Sequence, residues 1–274
     1  MTTSGTLVIY EKEVAAPAVP EALAAMLGGF AFVELVRGYV APAQVYRVSR
    51  RGSPNFYLKV GSDLRSERDR LSWLQGRFTA PRVEFYAEEG ETGFLLLSEL
   101  GGTPASDPEW SKKPESVIRA VAKTVRGIHE IAIDDCPFYC SVESLFSLAS
   151  EAVNSGRIKQ SQLSSKYRHL TPAEILQMAL ELRLPTERMV VTHGDCCLPN
   201  ILIDSNMATG VVDLGLAGIS DPWRDLALVT RSIRRNLGEQ WVREFFSAYG
   251  EEMDETRIEF FSLLDQLTMM RRVA

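Results

Sequence analysis

The feature that most constrains this chain is a single change of hydrophobic period, at the turn cluster Gly101-Gly102-Thr103-Pro104. Before it, residues 30–36, 45–49, 56–60, 83–87 and 93–98 are short aromatic and β-branched runs divided by Gly, Pro and charges, the pattern of strands. Two helical segments interrupt them, 21–27 and 62–75. The second has Leu64, Leu71 and Leu74 on one face and Gly76 as a stop. Beyond the cluster, Val117, Ile118, Val121, Val125 and Ile128 recur at helical spacing over 117–131, and helices are expected at 142–153 and 173–182. Short strands are expected at 189–192, 201–204 and 210–212, then helix from about 221 onward. Five strands followed by helices predict an α+β architecture of two lobes, residues 1–100 and 101–274.

Several function classes fall away on composition. The chain has 274 residues, 45% of them hydrophobic, and a net charge of −6, with no Lys/Arg run. That is a globular core without the basic patch of a nucleic-acid binder. The most apolar stretch, 14–33, is broken by Pro17, Pro20 and Glu21, so no membrane partner is expected. Met1-Thr2-Thr3-Ser4-Gly5 lacks the basic start of a signal peptide. Cys136, Cys140, Cys196 and Cys197 form no C-x-x-C pair and read as reduced thiols. His129, His169 and His193 are too scattered for a His-based zinc site. The expectation is a cytoplasmic monomer.

Chemistry concentrates in His193-Gly194-Asp195-Cys196-Cys197-Leu198-Pro199-Asn200, followed by Gly210-Val211-Val212-Asp213-Leu214-Gly215. An Asp and an Asn five residues apart converge if their loop folds back, and a second Asp on the next loop completes an oxygen shell suited to Mg²⁺. Phosphoryl transfer needs this set: an acceptor for the attacking hydroxyl's proton, and metal to neutralise charge on the phosphates.

H-G-D-x₄-N followed by D-L-G resembles the catalytic and metal loops of the aminoglycoside phosphotransferases, relatives of the protein kinases. The resemblance extends over nearly the whole chain. It takes in Tyr57-Leu58-Lys59, the helix segment Ser66-Glu67-Arg68-Asp69-Arg70-Leu71-Ser72-Trp73-Leu74, Asp135-Cys136-Pro137-Phe138 and Asp221-Pro222-Trp223-Arg224-Asp225-Leu226-Ala227. It implies a two-lobed protein-kinase-like fold and transfer of phosphate from ATP or GTP to an antibiotic hydroxyl. By that resemblance Asp195 is the catalytic base beside the substrate, and Asn200 and Asp213 are the Mg²⁺ ligands. Lys59 takes the α/β-phosphates, Glu67 holds it, and Tyr57 stacks on adenine. Ser98 and Leu100 belong to the hinge that hydrogen-bonds the base, and 38–43 covers the phosphates.

Rival readings stand beside these. Glu67 could pair along its own helix with Arg70, a surface contact of about 0.2–0.5 kcal/mol. Asn200 and Asp213 could be ordinary turn residues. His129 reads as a satisfied core histidine, and Cys196 and Cys197 as loop residues rather than nucleophiles. Three departures bear on the substrate. Leu216 stands where many relatives place Arg, Arg231-Ser232-Ile233-Arg234 continues with Arg235 and Asn236 rather than acids, and 165–169 is basic. Leu264-Asp265-Gln266-Leu267-Thr268 resembles the ending of streptomycin 3''-kinases, with Asp265 as a distal substrate contact. Streptomycin is the leading substrate, followed by a 3'-hydroxyl aminoglycoside and then another cationic antibiotic. A metabolite kinase and a non-catalytic, pseudokinase-like binding protein are the alternatives.

Overall fold

The computed structural model describes residues 9–37, 43–183 and 188–268. Strands β1 (Ile9–Val14), β2 (Ala31–Arg37), β3 (Ala43–Ser49), β4 (Phe56–Gly61), β5 (Val83–Glu89) and β6 (Thr92–Ser98) form an antiparallel sheet in the order β1-β2-β3-β4-β6-β5. The periodicity predicts five strands and the sheet has six. The extra strand reads Ile-Tyr-Glu-Lys-Glu-Val, whose three consecutive charges hide any alternation. Among the described residues it pairs with β2 alone, and an edge strand tolerates such charge.

Period-two alternation divides the sheet into two faces. On one, Leu58 packs with Phe32, Tyr46, Val48, Phe94 and Leu96 beneath Leu23 of α1 (Glu21–Met26). The other carries Tyr57 and Lys59, opposite Leu97 and Leu95 of β6, and meets α2 (Leu64–Leu74). Leu64, Leu71 and Leu74 of α2 are buried here, as their spacing predicts, each stabilising by about 1.5–3 kcal/mol. Glu67 shares their face.

The remainder is mostly helical. After the short strand β7 (Thr103–Pro104) come α3 (Pro114–His129), α4 (Val142–Asn154) and α5 (Pro172–Glu181). Val117, Val121, Val125 and Ile128 of α3 are all buried. Thr171 and Glu174 form a reciprocal capping box that starts α5. Strands β8 (Val190–Thr192), β9 (Ile201–Asp204), β10 (Met207–Val211) and β11 (Gly218–Ser220) make two small sheets, β10-β9-β7 and β11-β8. β10 begins ahead of the predicted 210 because Ser205 and Asn206 both take positive φ (50° and 66°) and close a two-residue hairpin. The predicted terminal helix is three: α6 (Trp223–Asn236), α7 (Gln240–Tyr249) and α8 (Glu255–Thr268). Gly238 (φ 109°) and Gly250 (φ 83°) take left-handed conformations that stop α6 and α7.

The architecture is thus α+β, a strand-rich lobe followed by a mostly helical one. No helix among the described residues is long and apolar enough to cross a membrane. All four cysteines are free thiols.

Candidate active site

Lys59 and Glu67 meet because β4 and α2 present them to each other across the inner face of the sheet. Lys59 Nζ lies 2.7 and 2.8 Å from the two Glu67 carboxylate oxygens, and both side chains are buried. Nζ also donates to Oδ1 of Asp213, from the loop after β10. Burial alone would push the Lys59 pKa down, but the Asp213 and Glu67 carboxylates overcome it and hold the ammonium above its ordinary 10.5. The intrahelical Glu67–Arg70 pair does not form. Arg70 turns to backbone carbonyls, because Glu67 faces the sheet and its buried cation.

The second group sits between β8 and β9. His193, Gly194 and Asp195 leave β8, and a short 3-10 turn, Leu198–Asn200, folds the loop back. Asn200 Nδ2 then donates to the Asp195 carbonyl oxygen at 3.0 Å and to its Oδ2 at 3.1 Å. This is the fold-back that the five-residue spacing permits. His193 Nε2 reaches the Val212 carbonyl at 2.9 Å, and Val212 N donates to Asn200 O at 3.0 Å. The loop of Asp195 and the loop of Asp213 are therefore cross-tied. Asp213 takes φ 64°, an uncommon conformation that Asp tolerates and that recurs at functional loops.

Asp225 organises this loop from below, a role the sequence did not reveal. Its carboxylate is fully buried in α6, its Oδ2 accepts from His193 N at 2.7 Å, and its Oδ1 accepts from Gly194 N at 2.9 Å. His129 Nε2 lies 3.2 Å from Oδ2, while His129 Nδ1 meets the Tyr249 hydroxyl at 2.8 Å. His129 is thus the satisfied core histidine expected. Burial opposes ionisation of Asp225, yet the hydrogen bond and charge of His129, with help from His193, hold its pKa below the ordinary 3.8. Burial likewise pushes the Tyr249 phenol up to about 12. The only legible signal was an acid set among Leu226, Ala227 and Val229, all buried.

Gly194 has φ 81°, and a Cβ there would lie 2.2 Å from the Leu216 carbonyl oxygen, so the loop admits only glycine. Burial raises the thiols of Cys196 and Cys197 well above their ordinary value, against a nucleophilic role.

The remaining candidates divide. Tyr57 is half-buried on the Lys59 face. The N–H of Ser98 donates to Arg82 O at 3.0 Å, and its hydroxyl accepts from Arg82 N at 2.9 Å. Leu100, two residues on, is left as the hinge N–H with no acceptor among the described residues. The turn at 38–42 lies outside the described residues. Asp265 on α8 is ion-paired with Arg231 of α6. The Arg231 pKa is raised, by the Asp265 charge first and also by the charge of Asp195.

A donor set of one amide and one carboxylate suits a hard cation that keeps water and phosphate as its other ligands. Asn200 commits its nitrogen to Asp195, which leaves the amide oxygen for such an ion. No cluster of three or more His, Cys, Asp or Glu suited to a metal occurs among the described residues. A softer, all-protein metal site therefore has no support there.

Comparison with known proteins agrees with this geometry. Residues 41–260 match the sequence model of the phosphotransferase enzyme family. An aminoglycoside 3'-phosphotransferase of Niallia circulans is 31% identical over 255 residues, 90% of this chain and 96% of the relative. A streptomycin 3''-kinase of Streptomyces griseus is 34% identical over 224 residues, 75% of this chain and 80% of the relative. Among solved structures, the aminoglycoside phosphotransferase APH(3'')-Id from Streptomyces rimosus superposes with a TM-score of 0.79 at 32% identity, covering 90% of this chain and 96% of that one. The same enzyme has been solved with ADP and streptomycin, and that form gives a TM-score of 0.74, covering 84% of this chain and 94% of the other.

Proposed function

We infer the reaction from one premise: the chain belongs to the phosphotransferase enzyme family. It is an ATP-dependent kinase that phosphorylates a hydroxyl of an aminoglycoside antibiotic, as its relatives' names describe. The observation that carries this reading is that Lys59 meets Glu67 and Asp213, Asn200 meets Asp195, and the loops of Asp213 and Asp195 are cross-tied through His193 and Val212.

The contacts support the following roles. Residues 1–100 bind the nucleotide, and 101–274 bind the antibiotic and carry the base. Lys59, fixed by Glu67, takes the α/β-phosphates; an unpartnered ammonium would wander. Tyr57 stacks on the adenine, and the hinge at Ser98 and Leu100 meets its edge, chiefly through the N–H of Leu100. The Asp195 carboxylate receives or orients the proton of the attacking hydroxyl, and the Asn200 amide fixes its direction. Asn200 and Asp213 would hold Mg²⁺, which supplies charge neutralisation on the transferring phosphoryl group. The product gains roughly two negative charges at neutral pH, which opposes an antibiotic that binds its target through cations, and so confers resistance. ATP supply places the enzyme in the cytoplasm, where it acts as a monomer.

Streptomycin leads among substrates. Relatives of the kanamycin branch set carboxylates against a polycation, whereas here Leu216 replaces a polar position and Arg231 neutralises Asp265. The test is phosphate transfer from ATP and from GTP to streptomycin, kanamycin, viomycin and hydroxylated metabolites. The highest kcat/KM is expected for streptomycin with ATP. Absence of transfer to every cationic antibiotic overturns the resistance reading, and transfer to a metabolite alone replaces it.

A further inference from the structure

α2 carries Glu67, and the loop after β10 carries Asp213; both meet the same Lys59 nitrogen. An ångström of slip between helix and loop would therefore break one contact or the other. The three carbonyls that follow Asp213-Leu214 are each gripped by a side chain. Ser66 Oγ donates to Gly215 O at 3.0 Å, Arg224 Nη1 to Leu216 O at 3.4 Å, and Arg70 Nε to Ala217 O at 2.6 Å. Arg70 Nη1 also donates to Ser66 Oγ at 2.6 Å and to Ser66 O at 3.1 Å, so the two grips from α2 are one unit. The contact is close: a Cβ on Gly215 would sit 3.6 Å from the Cβ of Glu67.

Arg70 is an expensive way to fasten a helix. Its guanidinium is half-buried, lies over the Phe138 ring at 4.5 Å, and has no carboxylate in ion-pair range among the described residues. Burial, with the neighbouring Arg224, pushes its pKa down. An apolar side chain of similar volume would fill the site without that desolvation. What an apolar side chain lacks is the rigid fork that reaches Ser66 and Ala217 together, and a lysine's single ammonium lacks it too.

We propose that Arg70, with Ser66, is a positioning residue for phosphoryl transfer: it locks α2 to the Asp213 loop and so sets the spacing of Glu67 and Asp213 around Lys59. Arg70 acts through Glu67 and touches neither nucleotide nor antibiotic. The inference rests on the phosphotransferase reading above and on the placement of the nucleotide at Lys59.

The experiment measures Arg70→Met, Arg70→Lys and Ser66→Ala, each alone and combined with Glu67→Gln, by initial rates, MgADP titration and thermal unfolding. Arg70→Met is expected to raise the KM for ATP and the Kd for MgADP by about 10- to 100-fold, the loss expected of one charge-assisted hydrogen bond, with the antibiotic KM unchanged. Arg70→Lys gives no rescue, and Ser66→Ala moves the same constants less. In the Glu67→Gln background the Arg70 effect vanishes, since its route is already cut. Lower thermal stability with unchanged ATP constants, or effects that add to those of Glu67→Gln, overturns the proposal. If Arg70→Met does not fold, Ser66→Ala decides by the same criteria. A parent protein that neither binds MgADP nor transfers phosphate would instead sink the phosphotransferase reading itself, a distinguishable failure.

Discussion

Replacing Asp225 with Asn tests the idea that a buried carboxylate, rather than the loop's own sequence, holds the proposed base in place. Asp225 has two oxygens and three neighbours: Gly194 N on Oδ1, and His193 N and His129 Nε2 on Oδ2. An Asn keeps one oxygen. Its better orientation leaves that oxygen to His193 and His129 and turns the NH₂ against the Gly194 N–H, donor facing donor. One charge-assisted bond is lost, and a buried N–H is left without an acceptor. Together these should cost about 2–4 kcal/mol, a large share of the ~5–15 kcal/mol that holds a protein folded. The urea midpoint of Asp225→Asn should fall at an unchanged m-value. Because Gly194 immediately precedes Asp195, kcat should fall by about 10²-fold, the scale of an ångström's misplacement. The KM for ATP should move little, since Lys59 and Glu67 ride on β4 and α2.

The same residue predicts a pH signature. The Asp225 pKa is depressed in the folded state, so ionisation stabilises the fold above the ordinary value of 3.8, and that stability is lost as pH falls through the lower folded value. The gap in urea midpoint between parent and Asp225→Asn should hold steady from about pH 5 to 8 and narrow below about pH 4. An Asn variant that unfolds within about 0.5 kcal/mol of the parent and keeps its kcat would refute the anchoring role.

Lys59→Met removes the ammonium that bridges the Glu67 and Asp213 carboxylates. Removing one partner of such a buried pair costs ~3–5 kcal/mol of stability, and losing the charge-assisted phosphate contact proposed for this ammonium should separately lower kcat/KM for ATP by about 10²-fold in initial-rate assays. The Lys59 pKa is raised, so its stabilising contribution is complete below pH 10.5 and is lost as pH rises through the folded value; the midpoint difference between parent and variant should shrink only in that alkaline range. Gly194→Ala drives a methyl to 2.2 Å from the Leu216 carbonyl oxygen in a left-handed conformation. It should lower the midpoint of thermal unfolding by roughly 4 °C or more, and equal stability would show that the loop relaxes without cost.

What could be read from the residues, and what could not, divides along a physical line. Asp195, Asn200 and Asp213 were legible because a five-residue spacing lets one short loop fold back and the next loop follows after a strand pair, and spacing along a chain encodes that. Strand and helix periods put Lys59 and Glu67 on their elements, but their pairing was legible only through the family resemblance; their contact is side chain to side chain. Asp225 and Arg70 escaped for the opposite reason. Their partners are the backbone of His193, Gly194 and Ala217, and a peptide N–H or carbonyl has no residue type by which a pattern could announce it. Proximity in sequence even misled, since Arg70 stands three residues from Glu67 yet bonds elsewhere. Net charge fails in the same way. A chain of −6 suggests attraction for a cation, but Asp265, the proposed distal substrate contact, is ion-paired with Arg231. The net charge at Asp265 depends on a partner 34 positions away in the sequence. If Asp265 meets the substrate as proposed, selectivity turns on that tertiary pair, which no sum over the sequence can stand in for.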